Sequence, residues 1–282
     1  VQFHGVGNAL LFPLFKLTGR GAKSLLIVDG PDWKRPKWSR MAQLALRTSF
    51  PMAVKWADEI ISDNEEAQRL FRETYGRETP LVGYGADLNV PSTRDALARY
   101  GLEPRKYFLQ VAALVPDKGV HVVIEAYRRL KTDMPLVIVG DTPYMSEYKA
   151  DLMKKADPRV KFLGYVFGLP CQELVAHCFA YLHGQLIDGT SPALLQAMAY
   201  GCGIIAGDLV EIDHSLADTG LRYRAQDPAD LLDKMTRLVD HPGLAADYGM
   251  KARQRVEQKF NWDRVTDAYE QLSLRLVAGR EG

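Results

Sequence analysis

Gly189-Thr-Ser-Pro-Ala-Leu-Leu-Gln-Ala-Met-Ala-Tyr-Gly201, followed by Cys202-Gly-Ile-Ile-Ala-Gly207, reads as a small-residue loop, a helix, a glycine stop and a buried strand. Ser191 suits the helix cap, and Pro192 suits the first helical position, where its missing N–H would be unpaired anyway. The free N–H groups and positive dipole end at such a start make a natural seat for a phosphate. Taken alone, the same pattern also serves as an ordinary strand–loop–helix of an α/β domain.

Outward from this stretch, short apolar strands alternate with amphipathic helices. Strands are expected at Ser24–Val28, Glu59–Ser62, Thr79–Val82, Tyr107–Val111, Leu136–Val139, Val160–Phe162, Phe179–Leu182 and Gly203–Ala206. Helices are expected at Arg40–Ala57, Glu65–Tyr75, Val120–Leu130, Ser146–Ala156, Gln172–His177, Pro192–Tyr200, Pro228–Asp240 and Leu244–Phe260. Such alternation implies an α/β protein of parallel sheets with right-handed crossovers. Ligands in these sheets collect beyond the carboxyl ends of the strands. Between Tyr84 and Arg99 the pattern lapses into a glycine-, asparagine- and proline-containing stretch, which reads as a hinge between two lobes.

Composition narrows the classes. The chain has 282 residues, 47% hydrophobic and 25% charged, as soluble globular proteins do. A net charge of +1 gives no reason to expect a nucleic-acid partner. Cys171, Cys178 and Cys202 are odd in number and form no C-x-x-C pair, which favours a reducing compartment without structural zinc. The apolar run Asn8–Phe15 is too short to span a bilayer and is interrupted by Pro13. A cytoplasmic location is the default.

Two further stretches carry chemistry. In Phe108-Leu-Gln-Val-Ala-Ala-Leu-Val-Pro-Asp-Lys-Gly119, a strand ends near Val111 and Lys118 stands just before a helix. That puts a flexible cation where strand ends and helix starts converge; the plainer reading is a solvated lysine at a turn. Trp33, Lys34, Arg35, Lys37 and Trp38 place two indoles around three cations, which suits an anionic membrane surface or a lipid diphosphate. The alternative is a surface loop whose tryptophans pack on the helix Arg40–Ala57.

Together these pieces resemble the glycosyltransferases of family 4, which have the GT-B fold. Val115-Pro-Asp-Lys-Gly-Val-His-Val-Val-Ile-Glu-Ala-Tyr127 is similar to the family's phosphate-binding lysine and following helix. Leu136–Asp141 resembles its central strand, and Phe162-Leu-Gly-Tyr165 the strand before the nucleobase pocket. Asp188–Gly201 resembles its signature loop and helix, with Leu216–Tyr223 and Asp227–Leu231 matching the segment that follows. Phe260-Asn-Trp262 resembles the introduction of a last helix that crosses back to the N-terminal domain. Within the family, His183-Gly-Gln-Leu-Ile-Asp-Gly-Thr-Ser-Pro is most like a bacterial rhamnosyltransferase branch.

The resemblance implies two Rossmann-like domains. Residues 1–85, with 262–282 crossing back, would be the N-terminal acceptor-side domain, and residues 86–261 the nucleotide-sugar domain. The first looks incomplete: about 85 residues precede the hinge, so either the sequence is a fragment or a second polypeptide completes the domain. The implied activity is retaining transfer from a nucleoside-diphosphate sugar to a saccharide or lipid-linked acceptor, in envelope or exopolysaccharide assembly. No metal and no other cofactor is expected. The implied location is cytoplasmic, peripheral at the inner face of the cell membrane. Lys118, Gly189, Thr190 and Ser191 would hold the diphosphate, Gln196 the ribose, and Asp188 the sugar hydroxyls. His4 would lie near the transferred sugar, or else is a strand-end histidine with a local hydrogen bond.

Departures from the family open an alternative. Its two glutamates are replaced by Asp188 and Gln196, and an arginine that assists the lysine falls at Ala113. A non-catalytic nucleotide-sugar-binding subunit is therefore the main competing expectation, with an epimerase of the same fold a weaker third.

Overall fold

The computed structural model describes every residue except 20, 31–32, 34–38, 143–145, 186–190 and 279–282. Val1–Tyr84 with Trp262–Gly282 form one unit, and Gly85–Asn261 the other.

In the first unit, β1 (Gln2–His4), β2 (Leu25–Val28) and β3 (Glu59–Ser62) form a parallel sheet with β2 in the middle. Its flanking helices are α1 (Phe12–Thr18), α2 (Arg40–Trp56) and α3 (Glu65–Tyr75). All four residues of β2 are buried because alternate side chains enter two different cores. Leu26 and Val28 pack with Phe12, Phe50, Ile60 and Phe71. Leu25 and Ile27 face the other way, onto Ile61, Val82 and two residues of the helix Trp262–Ala278, Val265 and Leu272. Helix starts are set locally: Ser39 Oγ accepts from Ala42 N at 3.3 Å, and Asn64 Oδ1 from Ala67 N at 2.8 Å.

The second unit has six parallel strands, β4 (Phe108–Val111), β5 (Leu136–Val139), β6 (Val160–Phe162), β7 (Ala180–His183), β8 (Gly203–Gly207) and β9 (Leu221–Tyr223). Their order is β6-β5-β4-β7-β8-β9. The helices are α4 (Asp95–Tyr100), α5 (Val120–Arg129), α6 (Ser146–Lys155), α7 (Leu169–Ala176), α8 (Pro192–Ala199), α9 (Val210–Leu216), α10 (Pro228–Asp240) and α11 (Pro242–Lys259). From β4 the chain works outward through β5 and β6, then returns to β7 and works outward the other way. This is a doubly wound sheet whose switch point lies between β4 and β7.

Several expected elements are corrected. Thr79–Val82 is no strand, only a single bridge from Leu81 to Ser62. Pro80 has no N–H to give a ladder, and Thr79 bonds Ser62 through its hydroxyl at 2.7 Å. The helix expected from Gln172 begins three residues earlier, at Leu169, with Pro170 in its first turn. The expected hinge ends in α4, and α1, α9 and β9 carried too little periodicity to be anticipated.

Candidate functional site

The loops after β4 and β7 meet at the switch point almost backbone to backbone. Gly119, with φ +64°, lies so close to Gly184 that a β-carbon at 119 would sit 1.8 Å from the Gly184 carbonyl oxygen. Gln110, on β4 and 1% exposed, donates through Nε2 to the Lys118 carbonyl at 2.9 Å, fixing the turn Pro116–Lys118 that carries the lysine.

That turn aims the Lys118 side chain across the switch point. Its Nζ donates to Gln185 Oε1 at 2.5 Å, and Gln185 Nε2 reaches Ser191 Oγ at 3.4 Å. Ser191 in turn caps α8, its hydroxyl facing Leu194 N at 3.5 Å, with Pro192 in the first turn. A cation, a carboxamide, a hydroxyl and a helix start are thus joined in one chain of contacts at the carboxyl ends of β4 and β7. Such a set can receive an anion. Of the sequence-derived phosphate group, Lys118 and Ser191 are brought together here; Asp188, Gly189 and Thr190 lie outside the described residues.

Beside it, over the ends of β4 and β5, is a cavity of about 400 Å³ lined by Val111–Ala113, Val139, Gly140, Tyr165–Gly168, Cys171 and Gln172. Tyr165 and Phe167 stack at 5.7 Å with an interplanar angle of 13°, and both are exposed. The cavity is mostly apolar with an aromatic rim, which suits a flat heteroaromatic ring. Close by, Lys149 Nζ lies 2.8 Å from both Asp141 carboxylate oxygens and, with the Thr142 N–H, holds that carboxyl below its ordinary pKa. A second cavity of about 400 Å³ opens at the opposite, amino ends of the strands, against Arg105, Phe179, Gly201, Ala245 and Met250. It lies away from the end where parallel sheets collect ligands.

Gln196 is one turn into α8, but its amide is engaged: Nε2 donates to the Asp87 carbonyl at 2.7 Å and Oε1 accepts from the Asp87 N–H at 3.2 Å. Ala113 lines the cavity and brings no charge. In the first unit, His4 is exposed at the end of β1, and its carbonyl accepts from Asn8 Nδ2 at 2.6 Å. Trp33 is half-buried, edge-on to Phe50 with centroids 4.5 Å apart, so its ring serves the core as in the plainer of the two readings. Lys34, Arg35, Lys37 and Trp38 lie outside the described residues. Among the described residues no cluster of three or more His, Cys, Asp or Glu could hold a metal ion, and no helix is long and apolar enough to cross a membrane.

Residues 105–241 match the family described as Glycosyl transferases group 1. Residues 14–87 match a domain of unknown function, DUF1972. An uncharacterized glycosyltransferase, MJ1069, of Methanocaldococcus jannaschii is 22% identical over 82% of this chain and 62% of its own length. The D-rhamnosyltransferase WbpZ of Pseudomonas aeruginosa is 29% identical over 66% of this chain and 50% of its own. The chain thus spans from half to about three fifths of these relatives. Among solved structures, Anabaena Alr3699/HepE in complex with UDP and glucose superposes with a TM-score of 0.83 at 18% identity, covering 96% of this chain and 77% of that one. The shared fold is GT-B, with Rossmann-like parallel sheets.

Sequence reasoning assigned no role to four participants. Gln185 follows a histidine and glycine that drew attention by resemblance, yet an uncharged polar side chain just past a buried strand was itself a signal. Gly184 became legible only with Gly119 opposite it. Tyr165 and Phe167 were marked by their spacing of two and by the flanking Gly164 and Gly168.

Proposed function

We propose that this chain takes part in glycosyl transfer, moving a sugar from a nucleoside-diphosphate donor to a saccharide or lipid-linked acceptor in envelope or exopolysaccharide synthesis, with retention of configuration and without a metal. One observation carries the reading: the Lys118–Gln185–Ser191 chain ends at the start of α8, beside a cavity with a stacked aromatic rim. A base in the cavity and a diphosphate on Lys118 and the α8 start would occupy adjacent strand ends. There the lysine and the N–H groups would stabilise the negative charge that develops on the leaving diphosphate. The UDP and glucose of the structural neighbour, and the sugar-transfer name of WbpZ, support the same donor class.

The acceptor class is supported by charge placement. The first 57 residues carry nine Lys and Arg against two Asp, while the whole chain is nearly balanced at 36 against 35. This basic opening stretch suits an acceptor presented at an anionic membrane surface.

The test is calorimetric titration with UDP, GDP and dTDP, followed by transfer or slow hydrolysis assays with sugars on the nucleotide that binds. Binding with turnover supports the reading. Binding without any turnover favours the non-catalytic subunit, for which the occupied Gln196 and the uncharged Ala113 speak. No binding removes the donor site.

A further inference from the structure

We infer that Gln196 is a positioning residue that pegs residues 85–89, the stretch through which the chain enters the second unit, to the nucleotide-site helix α8. Through it, nucleotide binding is felt in that stretch; this second part rests on the donor site proposed above.

The stretch is held at four points. Ala86 N donates to the Phe260 carbonyl at 2.8 Å, and Arg253 Nη2 donates to the Leu88 carbonyl at 3.2 Å. The Arg253 guanidinium also donates to the Ala199 carbonyl, at the end of α8, at 2.8 Å. Between these tethers, Gln196 grips both main-chain groups of Asp87, donating at 2.7 Å and accepting at 3.2 Å. The Asp87 carboxylate takes no part in that grip, since it accepts from Asn89 N at 2.9 Å and Asn89 Nδ2 at 2.8 Å. Gln196 ties the stretch to the side of α8 one turn beyond its capped start.

The chemistry explains why the residue is a glutamine. A carboxylate could accept from the Asp87 N–H, but it has no hydrogen for the Asp87 carbonyl and would face that oxygen with like charge. A carboxamide supplies both halves. Its oxygen also keeps a second lone pair. A hydroxyl from a ligand lying over α8 would therefore share Oε1 with Asp87, whose N–H bond is the longer of the two and the easier to stretch. Ligand and linker then act on one atom, and the coupling is reciprocal.

Amide hydrogen exchange tests both parts, with the Ile205 amide in β8 reporting that the fold is intact. Without nucleotide, Gln196→Ala should raise exchange at Asp87 at least tenfold while Ile205 stays protected. With UDP or GDP, whichever calorimetry finds to bind, Asp87 exchange in the wild type should shift at least threefold, and in Gln196→Ala it should not respond. Unchanged Asp87 exchange in Gln196→Ala overturns the peg. A nucleotide that binds yet leaves Asp87 exchange unmoved overturns the coupling alone. If neither nucleotide binds, the coupling falls together with the donor site, while the comparison without nucleotide still decides the peg.

Discussion

Gly119 and Gly184 touch through their main chains, and the contact leaves no room for a side chain at either position. A β-carbon on Gly119 would meet the Gly184 carbonyl oxygen at 1.8 Å, and one on Gly184 would meet Gln110 Nε2 at 2.9 Å. Gly119→Ala must therefore push the two loops apart as well as strain a left-handed residue. Gly76, with φ +62°, ψ +22° and nothing within 4 Å of a built β-carbon, isolates the strain alone. Gly76→Ala should cost about 1–2 kcal/mol. Gly119→Ala should cost clearly more and also weaken nucleotide binding; equal costs in urea denaturation would mean that the loops separate freely.

Lys118 is the cation that the turn aims at the proposed diphosphate. Lys118→Ala should weaken nucleoside-diphosphate binding by about 1.5–3 kcal/mol, the range for hydrogen bonds to charged groups. Gln185→Ala should give a smaller loss, because it frees the lysine without removing it. Calorimetry on the folded variants would show the order, and unchanged affinity in Lys118→Ala would take Lys118 out of the site.

Asp58 makes the first unit sensitive to acid. Burial alone would raise its pKa, but hydrogen bonds from Lys16 and from Ser24 N and Oγ hold the carboxyl well below its ordinary 3.8. A group with a lowered folded pKa stabilises fully above its unfolded value and loses that contribution as pH falls toward the folded one. The melting temperature should therefore drop steeply below about pH 4. Asp58→Asn should lower stability at neutral pH by about 1.5–3 kcal/mol and flatten that acid limb. A scanning calorimetry series with parallel acid limbs for both proteins would rule this out.

Tyr223 is 1% exposed, and among the described residues its hydroxyl has no hydrogen-bond partner. A buried hydroxyl left unpaired costs about 1–3 kcal/mol of desolvation. Tyr223→Phe should accordingly leave stability unchanged or raise it by about 1 kcal/mol. A loss beyond 1 kcal/mol on denaturation would mean that the hydroxyl is satisfied in solution.

If the basic opening stretch, residues 1–57, meets an anionic membrane, flotation with phosphatidylglycerol-containing vesicles should weaken with salt, since the attraction decays over about 8 Å at physiological ionic strength. The Lys34→Ala/Lys37→Ala double variant should lose about 1 kcal/mol per lysine. Flotation indifferent to both changes would confine these charges to solubility.

The fold was legible wherever burial wrote itself into the sequence. Leu136–Val139, Glu59–Ser62 and Val160–Phe162 are strands with the expected bounds, because short apolar runs between turn signals leave little alternative. Ser191 and Pro192 announced α8 through capping chemistry that acts within a few residues. Thr79–Val82 misled because its apolar content serves a packed loop, where Pro80 and the Thr79 hydroxyl, not hydrophobicity, decide the hydrogen bonds. At the site, Lys118 could be placed from its own neighbourhood. The fate of Gln196 could not, since its partner Asp87 is 109 residues away and offers only main-chain atoms. A residue that bonds to backbone leaves no complementary side chain for a reader to find.

Ala86 bonds Phe260 at 2.8 Å and bridges to Asn261, so residues 85–261 begin and end at the same place. That gives them the form of a cassette, fastened at its own mouth. Cutting the gene at those two codons would lift out the second unit without leaving a loose end to refold. It also means that recombination could exchange this unit for another while the first unit keeps its frame.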